Sequence, residues 1–125
     1  MNIVEIKDIC KNFPYWFCEN YKKYADNEEN MPFDQHYLLA AIAPRKVYVA
    51  SAQQDQWADP VSEYLCCKAV SEVWEMLGAT GFVAPDRLAE PGDCFAEGNI
   101  GYHIRTGTHF LSRHDWIRFC DFLKK

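Results

Sequence analysis

No run of about 18 apolar residues occurs in this sequence, so it offers no helix that reads as membrane-spanning. No cluster of Lys and Arg exceeds two or three residues, and the net charge is −5 with a pI near 5.3. That balance argues against a nucleic-acid binder, which needs a basic face to displace phosphate counterions. No CxxC pair is present, which disfavours zinc held by thiolates. The opening stretch MNIVEIKDICKNF places Glu5 and Lys7 where a signal peptide would carry an apolar core, and it has no small-residue cleavage site. It does not read as a signal peptide. Internal repeats and low-complexity segments are absent as well.

What is there is hydrophobic mass: 49% apolar and 15% aromatic residues in 125, enough for part of a packed globule and no more than one domain. Six cysteines would suit a stapled scaffold, but Cys66 and Cys67 are adjacent within an apolar helical pattern and Cys120 lies in another. The reading is mostly free, buried thiols, with a Cys10–Cys18 pair left open.

Along the chain, residues 3–24 read as an aromatic-rich, irregular segment broken by Pro14, ending in a short helix over WFCENYKKY. An acidic loop, ADNEEN, leads to a short helix over FDQHYLLAAIA, with Leu38, Leu39 and Ile42 on one side and Pro44 as its stop. KVYVA, residues 46–50, has the near-continuous apolar character of a strand buried on both faces in a parallel sheet. From Pro60 to Leu77, Val61, Leu65, Ala69, Val70, Val73, Trp74 and Leu77 recur at helical spacing, and Gly78 ends the pattern. Residues 78–99 read as a long loop, and IGYHIR, residues 100–105, as a second strand. Ser112 with Asp115 marks the start of a last helix expected to bury Trp116, Phe119, Cys120 and Leu123. This order is the closing portion of a doubly wound α/β sheet. Typical sheets have about five or six strands, so two parallel strands predict a chain incomplete as a domain.

In such sheets ligands bind outside the carboxyl ends of the strands. Two loops leave those ends: SAQQDQWADP after the first strand and TGTHFLSR after the second. An acid on one and a histidine on the next is the order in which an α/β-hydrolase triad is completed. Asp59 precedes Pro60 at a helix start and reads as its N-cap. Asp55 has no cap to serve and reads as the triad acid. His103 falls within the strand pattern, where it would pack or hydrogen-bond, and His114 opens the last helix. His109, at mid-loop after Thr106, Gly107 and Thr108, is the histidine that can reach across the strand ends. Spacings of six and five among these three histidines fit no metal-binding pair, so neither metal nor cofactor is expected. The serines are Ser51, Ser62, Ser71 and Ser112, and none sits in a GxSxG-like strand-to-helix turn. The nucleophile is therefore expected outside this chain.

The runs MPFDQHYLLAAIAPRKVYVASAQQDQWADPVSEYL and IGYHIRTGTHFLSRHDWIRFCDF resemble the C-terminal third of glucuronoyl esterases, carbohydrate esterases with the α/β-hydrolase fold. WFCENYKKY is similar to that family's segment just upstream. The resemblance implies the last two parallel strands and flanking helices of a three-layer sandwich, with residues 1–125 as the C-terminal segment of one domain. It implies a serine acyl-enzyme that cleaves the ester between 4-O-methylglucuronic acid of xylan and lignin alcohols. His109 matches the catalytic histidine, Asp55 the acid used by many bacterial members, and Trp57 a tryptophan lining the uronate pocket. The family's G-C-S-R-x-G-K motif, with the serine, an oxyanion-hole arginine and a sugar-binding lysine, does not occur here. The implied partners are a uronoxylan ester substrate and the missing N-terminal part of the same domain, and export follows if the complete protein follows the family. Two other readings stay open: a related acetyl xylan esterase or other α/β-hydrolase, and a non-catalytic carbohydrate-binding remnant using Tyr15, Trp16, Tyr21 and Tyr24.

Overall fold

The computed structural model describes residues 4–125, so Met1, Asn2 and Ile3, the head of the stretch read as no signal peptide, lie outside the described residues. Among the described residues three strands make the sheet: β1 (Val47–Ala52), β2 (Cys94–Phe95) and β3 (Ile100–Arg105). β1 and β3 pair in parallel from Val47↔Ile100 to Ala52↔Arg105, and β2 adds antiparallel to the far side of β3. The expected long loop over 78–99 thus contains a strand, invisible beforehand because two residues cannot display an alternation. That segment is tied to the protein's own core. Phe82, Ala84, Ala89 and Phe95 pack on it, and the Tyr64 hydroxyl donates to the carbonyls of Pro85 and Arg87 at 3.3 and 2.9 Å.

Side chains alternate across the sheet, and each face takes one long helix. Val47, Val49, Ile100, Tyr102 and Ile104 meet α4 (Pro60–Met76), which buries Tyr64, Cys67, Val70 and Trp74 at steps of three and four. Trp74 also donates its indole N–H to the Arg45 carbonyl at 3.0 Å, satisfying the one polar group it buries. Val61 and Leu65, expected inward, stay half-exposed. The helix carries two apolar stripes, and the sheet takes the one with the larger aromatic area.

The opposite face packs on α5 (Arg113–Leu123). Gly101 sits here for lack of room: a Cβ would fall 2.4 Å from the Tyr48 ring and 3.0 Å from Phe122. Ser112 and Asp115 form the expected capping box, but the buried side of α5 is corrected. Asp115 and Phe122 face inward, whereas Trp116, Cys120 and Leu123 are exposed. The cause is polar. His103 and Arg105 draw Asp115 into the interior, which turns the helix away from the orientation its apolar residues alone would choose.

Upstream lie α1 (Ile6–Asn12), α2 (Glu19–Lys22) and α3 (His36–Ala40), with a 3₁₀ turn at Glu28–Asn30. α1 was not expected: its capping box is built from Glu5 and Asp8 instead of the usual Ser or Thr start. α3 packs on α4, turning Leu39 to the core and leaving Leu38 exposed. All six cysteines are free, so the Cys10–Cys18 pair does not form. Burial holds fully for Cys67, while Cys18 and Cys120 are exposed. Among the described residues, β1 has no strand partner on its outer edge.

Candidate active site

The two strand ends deliver their loops side by side, because the ladder continues past the strands. Gln53 N–H donates to the Arg105 carbonyl at 2.8 Å and Gln54 N–H to that of Gly107 at 3.0 Å. A turn closed by Asp55 N–H on the Ala52 carbonyl then points the Asp55 side chain across to the second loop. His109 Nδ1 lies 2.6 Å from Asp55 Oδ2. An ionised carboxylate only accepts, so Nδ1 carries the proton, and in the neutral ring Nε2 is the acceptor. The carboxylate is only 14% exposed and the imidazole 87% exposed, so the acid is sheltered while the ring faces outward. Chemically, the pair is a sheltered acceptor orienting a solvent-facing proton acceptor.

Asp55, Trp57 and His109 share the wall of a cleft of about 1190 Å³. Trp57 is 48% exposed and meets Phe13 edge-on with centroids 6.0 Å apart, and Phe13 stacks on Trp16 at 4.1 Å. The cleft thus has an aromatic wall beside the Asp–His pair, and Glu28 and Asp34 also line it. Of the four aromatics considered as a platform, Trp16 and Tyr21 line this cleft. Phe13 went unremarked in the sequence, since nothing local distinguishes it from a packing aromatic.

Asp59 is the N-cap of α4, accepting from Ser62 N–H at 3.3 Å in the left-handed region at φ 54°. A third carboxylate escaped the sequence reading. Glu63 accepts from the buried Ser51 hydroxyl at 2.5 Å and lies beside Asp55, Ala58 and His109. Burial pushes its carboxyl pKa up, the Ser51 hydrogen bond opposes this, and the nearby charges of Asp55 and Asp59 add to the rise. A first-turn glutamate is so common on helices that no sequence signal marks this one.

His103 is 1% exposed and bonded at both nitrogens, to Asp115 Oδ1 at 2.8 Å through Nε2 and to the Tyr48 hydroxyl at 2.8 Å through Nδ1. Burial lowers its pKa, outweighing the pull of Asp115, so the ring is neutral, donating through Nε2 and accepting at Nδ1. His114 is exposed in the first turn of α5. The three histidines therefore occupy three different environments.

Parallel strands flanked by helices on both faces, with acid and histidine loops adjoining at their carboxyl ends, define part of an α/β-hydrolase. A protein-family model described as "Glucuronyl esterase, fungi" matches residues 2–78, more than half of the chain. The chain belongs to the glucuronoyl esterase family. It is 39% identical over 117 residues to carbohydrate esterase MZ0003 of an unknown prokaryotic organism, covering 94% of this chain and 27% of that protein. It is 39% identical over 64 residues to the 4-O-methyl-glucuronoyl methylesterase of Podospora anserina, covering 51% of this chain and 13% of that one. A solved glucuronoyl esterase from Solibacter usitatus superposes with a TM-score of 0.85 at 42% identity, over 94% of this chain and 30% of its own. A promiscuous CE15 esterase from a marine bacterial metagenome superposes with a TM-score of 0.92 at 38% identity, over 98% and 30%. The chain thus spans less than a third of the length of these relatives.

Proposed function

We propose that this chain is the C-terminal portion of a serine carboxylic-ester hydrolase acting on 4-O-methylglucuronoyl esters, and that it supplies the acid and the base of the triad but not the nucleophile. The observation that carries this reading is the 2.6 Å bond between His109 Nδ1 and Asp55 Oδ2. Asp55 holds the imidazole in the Nδ1–H tautomer, so that Nε2 can take the proton of a serine hydroxyl as its oxygen attacks the ester carbonyl. The imidazolium then protonates the departing alcohol, and water repeats the sequence on the acyl-enzyme. Trp57 forms the apolar wall of the uronate pocket, with its indole N–H available to a sugar oxygen.

The serine would come from the rest of the domain, on strands added at the outer edge of β1. Two features support that placement: this edge is unpaired among the described residues, and Trp116, Ile117 and Leu123 on α5 are half-exposed or more. An unpaired edge beside apolar surface is a template for association. The isolated chain is expected to elute as dimers or larger species in size-exclusion chromatography. A cooperative melt from a monomer would count against the truncated sheet.

Tested alone, the chain is expected to release no alcohol from a methyl glucuronate ester. Turnover abolished by a serine-directed phosphonate would overturn the assignment of the nucleophile to another segment.

A non-catalytic, carbohydrate-binding reading is favoured by one observation, the stacked Phe13–Trp16 pair beside Trp57 at the cleft. Binding of uronoxylan fragments by the isolated chain, lost in Trp57→Ala, would favour it. An acetyl esterase shares the same acid and base, and comparing acetyl with glucuronoyl esters on the completed enzyme separates the two.

A further inference from the structure

The loop that carries His109 has little packing of its own: the imidazole is 87% exposed, and Phe110 and Leu111 behind it are exposed as well. A loop so placed needs some other restraint to hold Nδ1 at bonding distance from Asp55. The backbone bond from Gln54 to Gly107 fixes its beginning only.

The remaining restraint comes from the last residue of β3. The Arg105 side chain is 12% exposed, and its donors divide into two sets. Nε donates to both oxygens of Asp115, at 2.9 and 3.0 Å. Nη1 donates to the Thr106 carbonyl at 3.1 Å, and Nη2 to the carbonyls of Thr108, at 3.4 Å, and Phe110. The last two flank His109. The guanidinium also lies over the Phe110 ring, 4.3 Å from its centroid. Gly107 makes this approach feasible: at φ +111° it adopts a backbone conformation that L side chains rarely take, and a Cβ there would meet Nη1 at 2.8 Å.

The anchor is rigid. Asp115 is 3% exposed and also accepts from Ser112 N–H at 2.6 Å and from His103 Nε2 at 2.8 Å, with Tyr48 bonded behind His103. Burial would raise its pKa, but the hydrogen bonds from Ser112, His103 and Arg105 prevail and hold the carboxyl well below the usual range.

We propose that Arg105, locked by Asp115, is the positioning residue of the His109 loop, its guanidinium gripping the carbonyls on either side of His109 so that Nδ1 stays on Asp55. Neutralising Asp115 would need only a positive charge. Holding three carbonyls in addition needs the planar fork of an arginine, with donors that a lysine ammonium cannot spread over the same span.

The test uses the ¹⁵N-labelled chain, with imidazole tautomers read by long-range ¹H–¹⁵N correlation at a pH where the rings are neutral. In the unaltered chain His109 is expected as the Nδ1–H tautomer. In Arg105→Lys it is expected to revert to the Nε2–H majority of a free imidazole, while His103 keeps its Nε2–H form and reports an intact fold. A His109 that stays Nδ1–H in Arg105→Lys overturns the proposal. Should that variant fail to fold, the unaltered chain decides the matter. Separately resolved, slowly exchanging Nη protons of Arg105 are expected, and one averaged signal from a freely rotating guanidinium overturns the grip. The catalytic consequence rests on the function proposed above: in an ester-cleaving enzyme completed with this chain, Arg105→Lys is expected to lower kcat about 10²-fold with KM unchanged. If the tautomer shifts as expected but no completed enzyme cleaves esters, the proposed function fails and the grip stands.

Discussion

His109→Ala is expected to lower kcat on a methyl glucuronate ester by about 10⁴-fold or more in a glucuronoyl esterase whose corresponding portion is replaced by this chain. The Solibacter usitatus enzyme, 42% identical over the region it shares, is a suitable recipient. The size of the effect follows from the division of labour. Without the imidazole the serine must lose its proton to water, and the leaving alcohol must depart unprotonated. Asp55→Asn is expected to cost about 10⁴-fold by a different route, because an amide in place of the carboxylate no longer enforces the Nδ1–H tautomer. The double variant should be little worse than either single one, since the two groups act as a unit. Steady-state kinetics of the three variants checks this, and a loss under about tenfold for His109→Ala would remove it from the role of base.

Asp115→Asn carries the largest expected effect on stability, a loss of about 3–5 kcal/mol. Asp115 is buried with Arg105 and His103 both bonded to its Oδ1, and an asparagine leaves the arginine charge in the interior without its counter-ion. A melting temperature lower by about 10 °C or more, read by circular dichroism at neutral pH, is the expected result. The pH dependence has a definite sign. The Asp115 carboxyl in the folded protein lies below its unfolded value near 4, so the unfolded chain binds more protons as pH falls. Its stabilisation is complete above about pH 4 and is lost below it. The His103 imidazole, whose pKa burial also lowers, acts in the same direction and begins to cost stability once pH drops below about 6.5. The groups facing it are Asp115, Tyr48, His114 and Arg118. Acid lability that persists unchanged in Asp115→Asn would place its origin elsewhere.

The elements legible in the sequence were those whose signal is local and long enough to repeat. The β1 and β3 strands were read from apolar runs, α4 from its helical period, and the α5 start from the Ser112–Asp115 box. What escaped had no such signal. β2 is two residues long, and α1 is capped by Glu5 and Asp8. The buried side of α5 departs from its apolar period because Asp115, a residue type that ordinarily faces solvent, is drawn inward by a histidine and an arginine ten and more residues away in sequence. Glu63 stayed hidden for a similar reason. Its environment is made by Ser51 on β1, and no neighbour in sequence announces it.

Legible from residue order alone were the class of the fold, the pairing of an acid loop with a histidine loop, and the job of Asp59 as a cap, while the family was marked by the resemblance of two long runs. These follow from composition, period and motif, which are properties of adjacent residues. Tertiary structure alone brought Asp55 within 2.6 Å of His109, set Trp57 beside Phe13 in one cleft, and locked Arg105, at the root of the His109 loop, onto Asp115 of α5. The Asp55–His109 contact depends on the parallel register of β1 and β3, which joins residues some fifty positions apart. No local pattern encodes a distance of that kind, because it is fixed by packing on both faces of the sheet at once.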